Sequence, residues 1–174
     1  YVPGRNTIPG IGAIVGDQVP EDYGFGKEFK VLRTSRSDVR LAPLICFEDT
    51  IGELTRQFVL RGANLLANIT NDGWFQESSG SRQHLDNAVF RCVETRLPMV
   101  RAANTGVTCF INEFGRVTKR APQFFEDVMS GEIAVPVGYE PTFYVRHGEL
   151  FAQVCAAVTT ATVIFLLFRF VRRL

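Results

Sequence analysis

A chain of 174 residues is long enough for one domain with a substantial core. Its 19 basic and 18 acidic side chains leave a net charge of +1, and no basic tract interleaved with aromatics precedes the C-terminus, so the electrostatic footprint of a nucleic-acid binder is absent. Four cysteines (Cys46, Cys92, Cys109, Cys155) without a CxxC pair, beside two histidines (His84, His147), argue against a structural zinc site.

In chain order, the first segment reads as loop, because Gly4, Pro9, Gly10, Gly12, Gly16, Pro20, Gly24 and Gly26 break any periodicity. Tyr1-Val2-Pro3-Gly4 shows no initiator Met, signal peptide or leading strand, so the chain is expected to be the C-terminal piece of a longer protein. Phe29 to Arg33 alternates as a strand, and Val39 to Cys46 is a second, more buried one. Thr50-Ile51-Gly52-Glu53 has the pattern of a capping box. The helix after it puts Ile51, Leu54 and Phe58 on one face and ends at Gly62. Asn64 to Thr70 is a short apolar run between turn signals, hence a buried strand, and a polar loop follows from Asn71 to Ser81.

Arg82 to Leu97 is the clearest helix, with Leu85, Ala88, Val89, Cys92 and Val93 at helical spacing and Pro98 as its stop. Pro98 to Ala103 and Val107 to Asn112 read as strands. Glu113 to Arg116 turns into another short strand, and Val128 to Val135 adds a last one. Strand, helix, strand, helix and then a run of strands predicts an α/β layered domain over residues 1–150.

The composition changes sharply at Phe151. From there to Phe168 the chain carries no charge, and its polar groups are Gln153 and the threonines 159, 160 and 162. Residues 151–168 in a helix reach roughly 27 Å, close to the ~30 Å hydrocarbon core of a bilayer. Arg169, Arg172 and Arg173 follow in a basic tail over 169–174. An excess of Arg marks the cytoplasmic side, so the tail is expected in the cytoplasm and the domain before Phe151 outside it. The 15 phenylalanines suit a chain that touches lipid.

Cys46 closes the apolar run Leu41-Ala42-Pro43-Leu44-Ile45-Cys46 and is followed by Phe47-Glu48-Asp49 and a helix start. A thiol at a strand-to-helix turn is held rigidly beside backbone N–H groups, which is how a nucleophile is presented. The plain alternative is a small buried hydrophobe that ends a strand. The spacing leaves disulfides open, but a working Cys46 has to stay reduced.

Three segments carry more information together: Leu44-Ile45-Cys46-Phe47-Glu48; Asn68-Ile69-Thr70-Asn71-Asp72-Gly73-Trp74-Phe75 with Gln83-His84; and Arg91-Cys92-Val93-Glu94-Thr95-Arg96 with Arg101-Ala102-Ala103-Asn104-Thr105-Gly106. In this order they resemble the carbon–nitrogen hydrolase (nitrilase) superfamily. With the Trp74-Phe75 loop, Thr142 to Glu149 and the terminal span, they resemble its apolipoprotein N-acyltransferase family of bacterial envelopes.

The resemblance implies a partial α-β-β-α sandwich followed by a transmembrane helix. It makes Cys46 the acylated nucleophile, Phe47 a backbone oxyanion donor and Glu48 a supporting acid. Trp74, Phe75 and Asn104 become substrate contacts. A general-base Glu and a Lys are expected upstream of Tyr1, so this piece alone should be inactive. The implied reaction moves a fatty acyl chain from a phospholipid to the N-terminal amine of a diacylglyceryl-cysteine apolipoprotein, with no metal or cofactor. The domain would face the periplasm from the inner membrane. The alternatives are a membrane-tethered amidase or nitrilase, in which water resolves the thioester, and a degenerate member kept as a scaffold.

Single residues also have plainer readings. Glu48 suits a solvated charge at a helix start. Trp74 and Phe75 suit core, although a polar loop favours a rim. His84 reads as a satisfied structural histidine, and Cys92 and Cys109 as core. Arg91, Glu94 and Arg101 read as surface charges, the first two paired at i,i+3. Asn104-Thr105-Gly106 reads as a turn shaping the pocket.

Overall fold

The computed structural model describes residues 26–35 and 38–172. The loop expected over the first 25 residues therefore lies outside the described residues. The elements are β1 (Leu32–Arg33), β2 (Arg40–Ile45), α1 (Gly52–Leu60), β3 (Leu65–Asn71), α2 (Gly80–Thr95), β4 (Met99–Asn104), β5 (Cys109–Ile111), β6 (Val117–Arg120), α3 (Phe143–His147) and α4 (Leu150–Val171). Tight 3₁₀ turns, Cys46–Thr50 and Asp72–Phe75, follow β2 and β3.

One sheet of six strands runs in the order β1-β2-β3-β4-β5-β6. Its centre, β2-β3-β4, is parallel because α1 and α2 return the chain between those strands. The flanking strands β1, β5 and β6 are antiparallel, joined by short connections. Strand alternation places Ala42, Leu44, Leu66 and Met99 on one face, buried against Phe58 and Val59 of α1 and Leu85, Ala88 and Cys92 of α2. On the other face Ile45 and Ile69, paired in register, are 67% and 68% exposed. The observed architecture is thus one helix layer on one mixed sheet, the α/β arrangement expected.

Three expectations need correcting. Thr50 does not cap α1: its hydroxyl donates to Phe47 O at 2.7 Å, and Ile51 takes the N-cap position without a side-chain bond. The early strand shortens to Leu32–Arg33, the part that pairs with β2. Residues 128–135 form no strand, and Val128 is 94% exposed; apolar alternation there meets no partner strand, and a strand needs one.

Before the terminal helix, α3 docks onto the helix layer. Thr142 caps it by accepting from Val145 N–H at 3.1 Å and donates to Glu94 O at 2.6 Å. Arg56 of α1 donates to Val145 O at 2.8 Å and Arg146 O at 3.2 Å. The last helix, α4, has 22 residues and a mean hydropathy of 2.1, and none of that stretch is buried. At 1.5 Å per residue it is roughly 33 Å long, enough to cross a membrane by length and composition. It extends the expected span to include Arg169.

Candidate active site

The carboxyl ends of β2, β3 and β4 lie side by side, and every residue singled out for chemistry lies on the turns that leave them or, like Asn104, at the strand end itself. Ligands in open α/β sheets favour this end of the parallel strands. Each turn contains a non-glycine residue with left-handed backbone: Cys46 at φ 53°, Gln76 at φ 49° and Thr105 at φ 59°. Such a conformation costs about 1–2 kcal/mol per residue, so the surroundings must hold it.

Several bonds fix the Cys46 turn. Glu48 bends back so that its Oε2 accepts from Ile45 N–H at 2.7 Å. Asn68 on β3 donates to Cys46 O at 3.0 Å and Leu44 O at 3.3 Å. Cys46 itself is half-buried and its thiol is unpaired. Cys92 and Cys109 are also unpaired, but both are core, as expected. Burial pushes the Cys109 thiol up to about 11 and that of Cys92 further still.

The second turn is tied to the third. Asn71 Oδ1 accepts from Gly73 N–H at 3.1 Å and from the Asn104 amide at 3.0 Å. Gly106 lies so close to Asp72 that a Cβ there would meet the carboxylate, which explains a glycine at this point. Phe75 meets Phe47 edge-on at 5.9 Å, and Phe47 stacks on the His84 ring at 4.8 Å. Trp74 is 76% exposed. The structure therefore gathers Cys46, Phe47, Glu48, Phe75 and Asn104 on adjoining turns, with Trp74 on the exposed rim.

Beneath these turns is a cluster that the sequence reading missed. Arg101 on β4 is not a surface charge but is 1% exposed. Its Nη1 donates to Asp49 Oδ2 at 2.5 Å and Asn68 Oδ1 at 2.7 Å, and its Nη2 donates to Asp72 Oδ2 at 3.3 Å. His84 bridges the same two carboxylates from the other side, Nε2 to Asp49 Oδ1 and Nδ1 to Asp72 Oδ1, both at 2.8 Å. Thr70 and Ser81 each donate to Asp72 at 3.1 Å. Register explains the assembly: Asn68 and Arg101 are paired neighbours on the core face, one step beyond the apolar row Leu66–Met99. The available signal was an arginine inside the apolar strand Met99-Val100-Arg101-Ala102, since a buried charge requires partners. Arg91 is likewise largely buried, though its pairing with Glu94 at 2.9 Å is as expected.

Residues 10–140 match the carbon–nitrogen hydrolase family. The chain belongs to that family. This carbon–nitrogen hydrolase chain is 41% identical over 157 residues to a protein of Geobacter metallireducens named apolipoprotein N-acyltransferase, covering 90% of the chain and 29% of the relative. It is 35% identical over 149 residues to apolipoprotein N-acyltransferase 1 of Treponema denticola, covering 85% of the chain and 27% of the relative. Among solved structures, a carbon–nitrogen hydrolase from Helicobacter pylori G27 aligns with a TM-score of 0.49 at 20% identity, over 62% of this chain and 43% of that one. The chain spans under a third of the length of these curated relatives.

Proposed function

We propose that the complete protein transfers a fatty acyl chain from a phospholipid, through a thioester on Cys46, to the N-terminal amine of a diacylglyceryl-cysteine apolipoprotein. The observation that carries this reading is an unpaired thiol in left-handed backbone at a strand end, in a chain 41% identical to a protein named for that activity. The membrane-length helix α4 supports it, because both substrates reside in the bilayer.

The chemistry divides a hard transfer into two displacements. The general base takes the Cys46 proton, the thiolate attacks the ester carbonyl, and the tetrahedral oxyanion collapses to a thioester as the lysophospholipid oxygen leaves with the proton returned by the base. The acceptor amine then attacks the thioester and gives one proton to the base; an amide forms as the C–S bond breaks and the thiolate is released. The Phe47 backbone N–H serves as an oxyanion donor. Glu48 supports the site by holding the turn through Ile45 N–H, and Trp74, Phe75 and Asn104 line the substrate side. As the family resemblance implies, a Glu serves as general base in this reading and a Lys helps hold the oxyanion.

The test uses the complete protein in membranes, a phospholipid labelled in its acyl chain and a diacylglyceryl-cysteine peptide. The expected product is label bound to the peptide through an amide. Release of free fatty acid alone would replace this reading with a hydrolase, and a complete protein lacking the upstream Glu and Lys would point to a scaffold.

The same proposal places the domain in the periplasm and the C-terminus in the cytoplasm, from the arginines that follow α4. Protease added to intact spheroplasts is expected to digest the domain. Full protection would reverse the orientation.

A further inference from the structure

His84 is buried to 2% exposure among charged partners, and the proposed acyl transfer does not use it. Its two ring nitrogens each face a carboxylate oxygen at 2.8 Å. An ionised carboxylate only accepts, so both nitrogens must donate, and only the imidazolium can do so. Charge gives the same answer. Asp49 and Asp72 contribute two negative charges and Arg101 one positive, so the closed cycle Asp49–His84–Asp72–Arg101 is neutral only when His84 is protonated.

The groups facing the ring come from every neighbouring element: Asp49 after β2, Asp72 after β3, Arg101 on β4, and the aromatic faces of Phe47 and Phe75. Asp49 lies in the Cys46 turn and Phe47 rests on the imidazole, so two adjacent parts of that turn bear on His84. We propose that His84 is a positioning residue, held as a doubly donating imidazolium, that clamps the Cys46 turn to the Asp72–Phe75 turn and so sets the presentation of the thiol.

Burial of the ring disfavours its charge, but the hydrogen bond and charge of Asp49 and the hydrogen bond of Asp72 outweigh burial and Arg101, leaving the His84 value raised above the usual 6.5. The sign follows. A group raised on folding contributes fully below its unfolded value and loses that contribution as pH rises through its folded value. The clamp is therefore complete below pH 6.5 and is lost as pH rises through the higher folded-state value.

The experiment uses the complete protein in detergent with Cys155→Ser, labelled with ¹⁵N-histidine. The His84 signal, identified by its loss in His84→Gln or its shift in Asp49→Asn, is expected to show the doubly protonated ring as the main form at pH 6.5. Asp49→Asn is expected to move its titration downward. In parallel, the rate of Cys46 alkylation by iodoacetamide is followed from pH 6 to 9. The wild type should show an inflection at the pH where His84 titrates, and His84→Gln should remove it. A mainly neutral ring at pH 6.5, or the same inflection in His84→Gln, would overturn the clamp. The proposal rests on the acyl-transfer reading only for its consequence, since neither measurement needs acyl transfer. A protein that behaves as expected here yet carries no acyl group on Cys46 sinks that reading alone.

Discussion

Cys46→Ser is expected to leave the complete protein folded and to abolish its hydroxylamine-sensitive acyl adduct. The folded state should tolerate the change, because the left-handed turn is held through backbone and neighbouring groups: Asn68 on Cys46 O and Glu48 on Ile45 N–H. The chemistry should not tolerate it. A serine hydroxyl is far less ionised and less nucleophilic than a thiol beside the same base, and any ester it formed would resist neutral hydroxylamine. Loss of a nucleophile of this kind costs on the order of 10⁴-fold or more in rate. The other thiols give no substitute. Burial keeps Cys92 and Cys109 protonated at neutral pH, and Cys155 lies on the membrane-length helix. Mass spectrometry of the labelled protein checks the assignment: a thioester on the Cys46 peptide in the wild type and none in the variant. Persistence of the adduct in Cys46→Ser would remove Cys46 from the mechanism.

What was legible in the sequence follows from how local each signal is. Helix α2 and strands β2, β3 and β4 declare themselves, because buried apolar side chains must recur at the period of the element that carries them. The Cys46 turn is legible too, since a strand ends there and a helix begins within a few residues. The capping pattern at Thr50 failed because the hydroxyl had a nearer acceptor in Phe47 O. The alternation over 128–135 failed because a strand is defined by a partner, which sequence alone does not supply. The charged cluster failed most fully. Asp49, Asp72, His84 and Arg101 come from four different elements; the first two and Arg101 look like ordinary surface or cap residues, and His84, rightly read as a satisfied structural histidine, does not name its partners. Only parallel pairing in register, with Asn68 opposite Arg101, brings them beneath one turn. The residues proposed for the chemistry were therefore visible, and the charged cluster beneath them was not.

Arg101→Leu is expected to be the most destabilising single change in the domain. Exposed pairs such as Arg82–Asp86, at 77% and 54% side-chain exposure, contribute little, because water solvates each partner equally well when the other is gone. Arg101 has no such refuge: its side chain and those of Asp49 and Asp72 are all at or below 1% exposure. Removing the guanidinium leaves His84 as the one cation facing the two carboxylates, with one negative charge uncompensated in a buried site. Breaking a buried pair in this way costs about 3–5 kcal/mol. Loss of that size would lower the thermal midpoint of a domain this long by roughly 10 °C or more. Arg101→Lys keeps the charge but has no planar fork to reach Asp49, Asn68 and Asp72 together, so it should recover only part of the loss. Adding Asp49→Asn to Arg101→Leu removes the surplus charge and should also restore part of it. Denaturant unfolding of the four proteins, with Arg82→Ala as the exposed control, decides the matter. A loss below about 1 kcal/mol in Arg101→Leu, no larger than that of Arg82→Ala, would mean that water enters the cluster and that the cycle is not what holds the Cys46 turn.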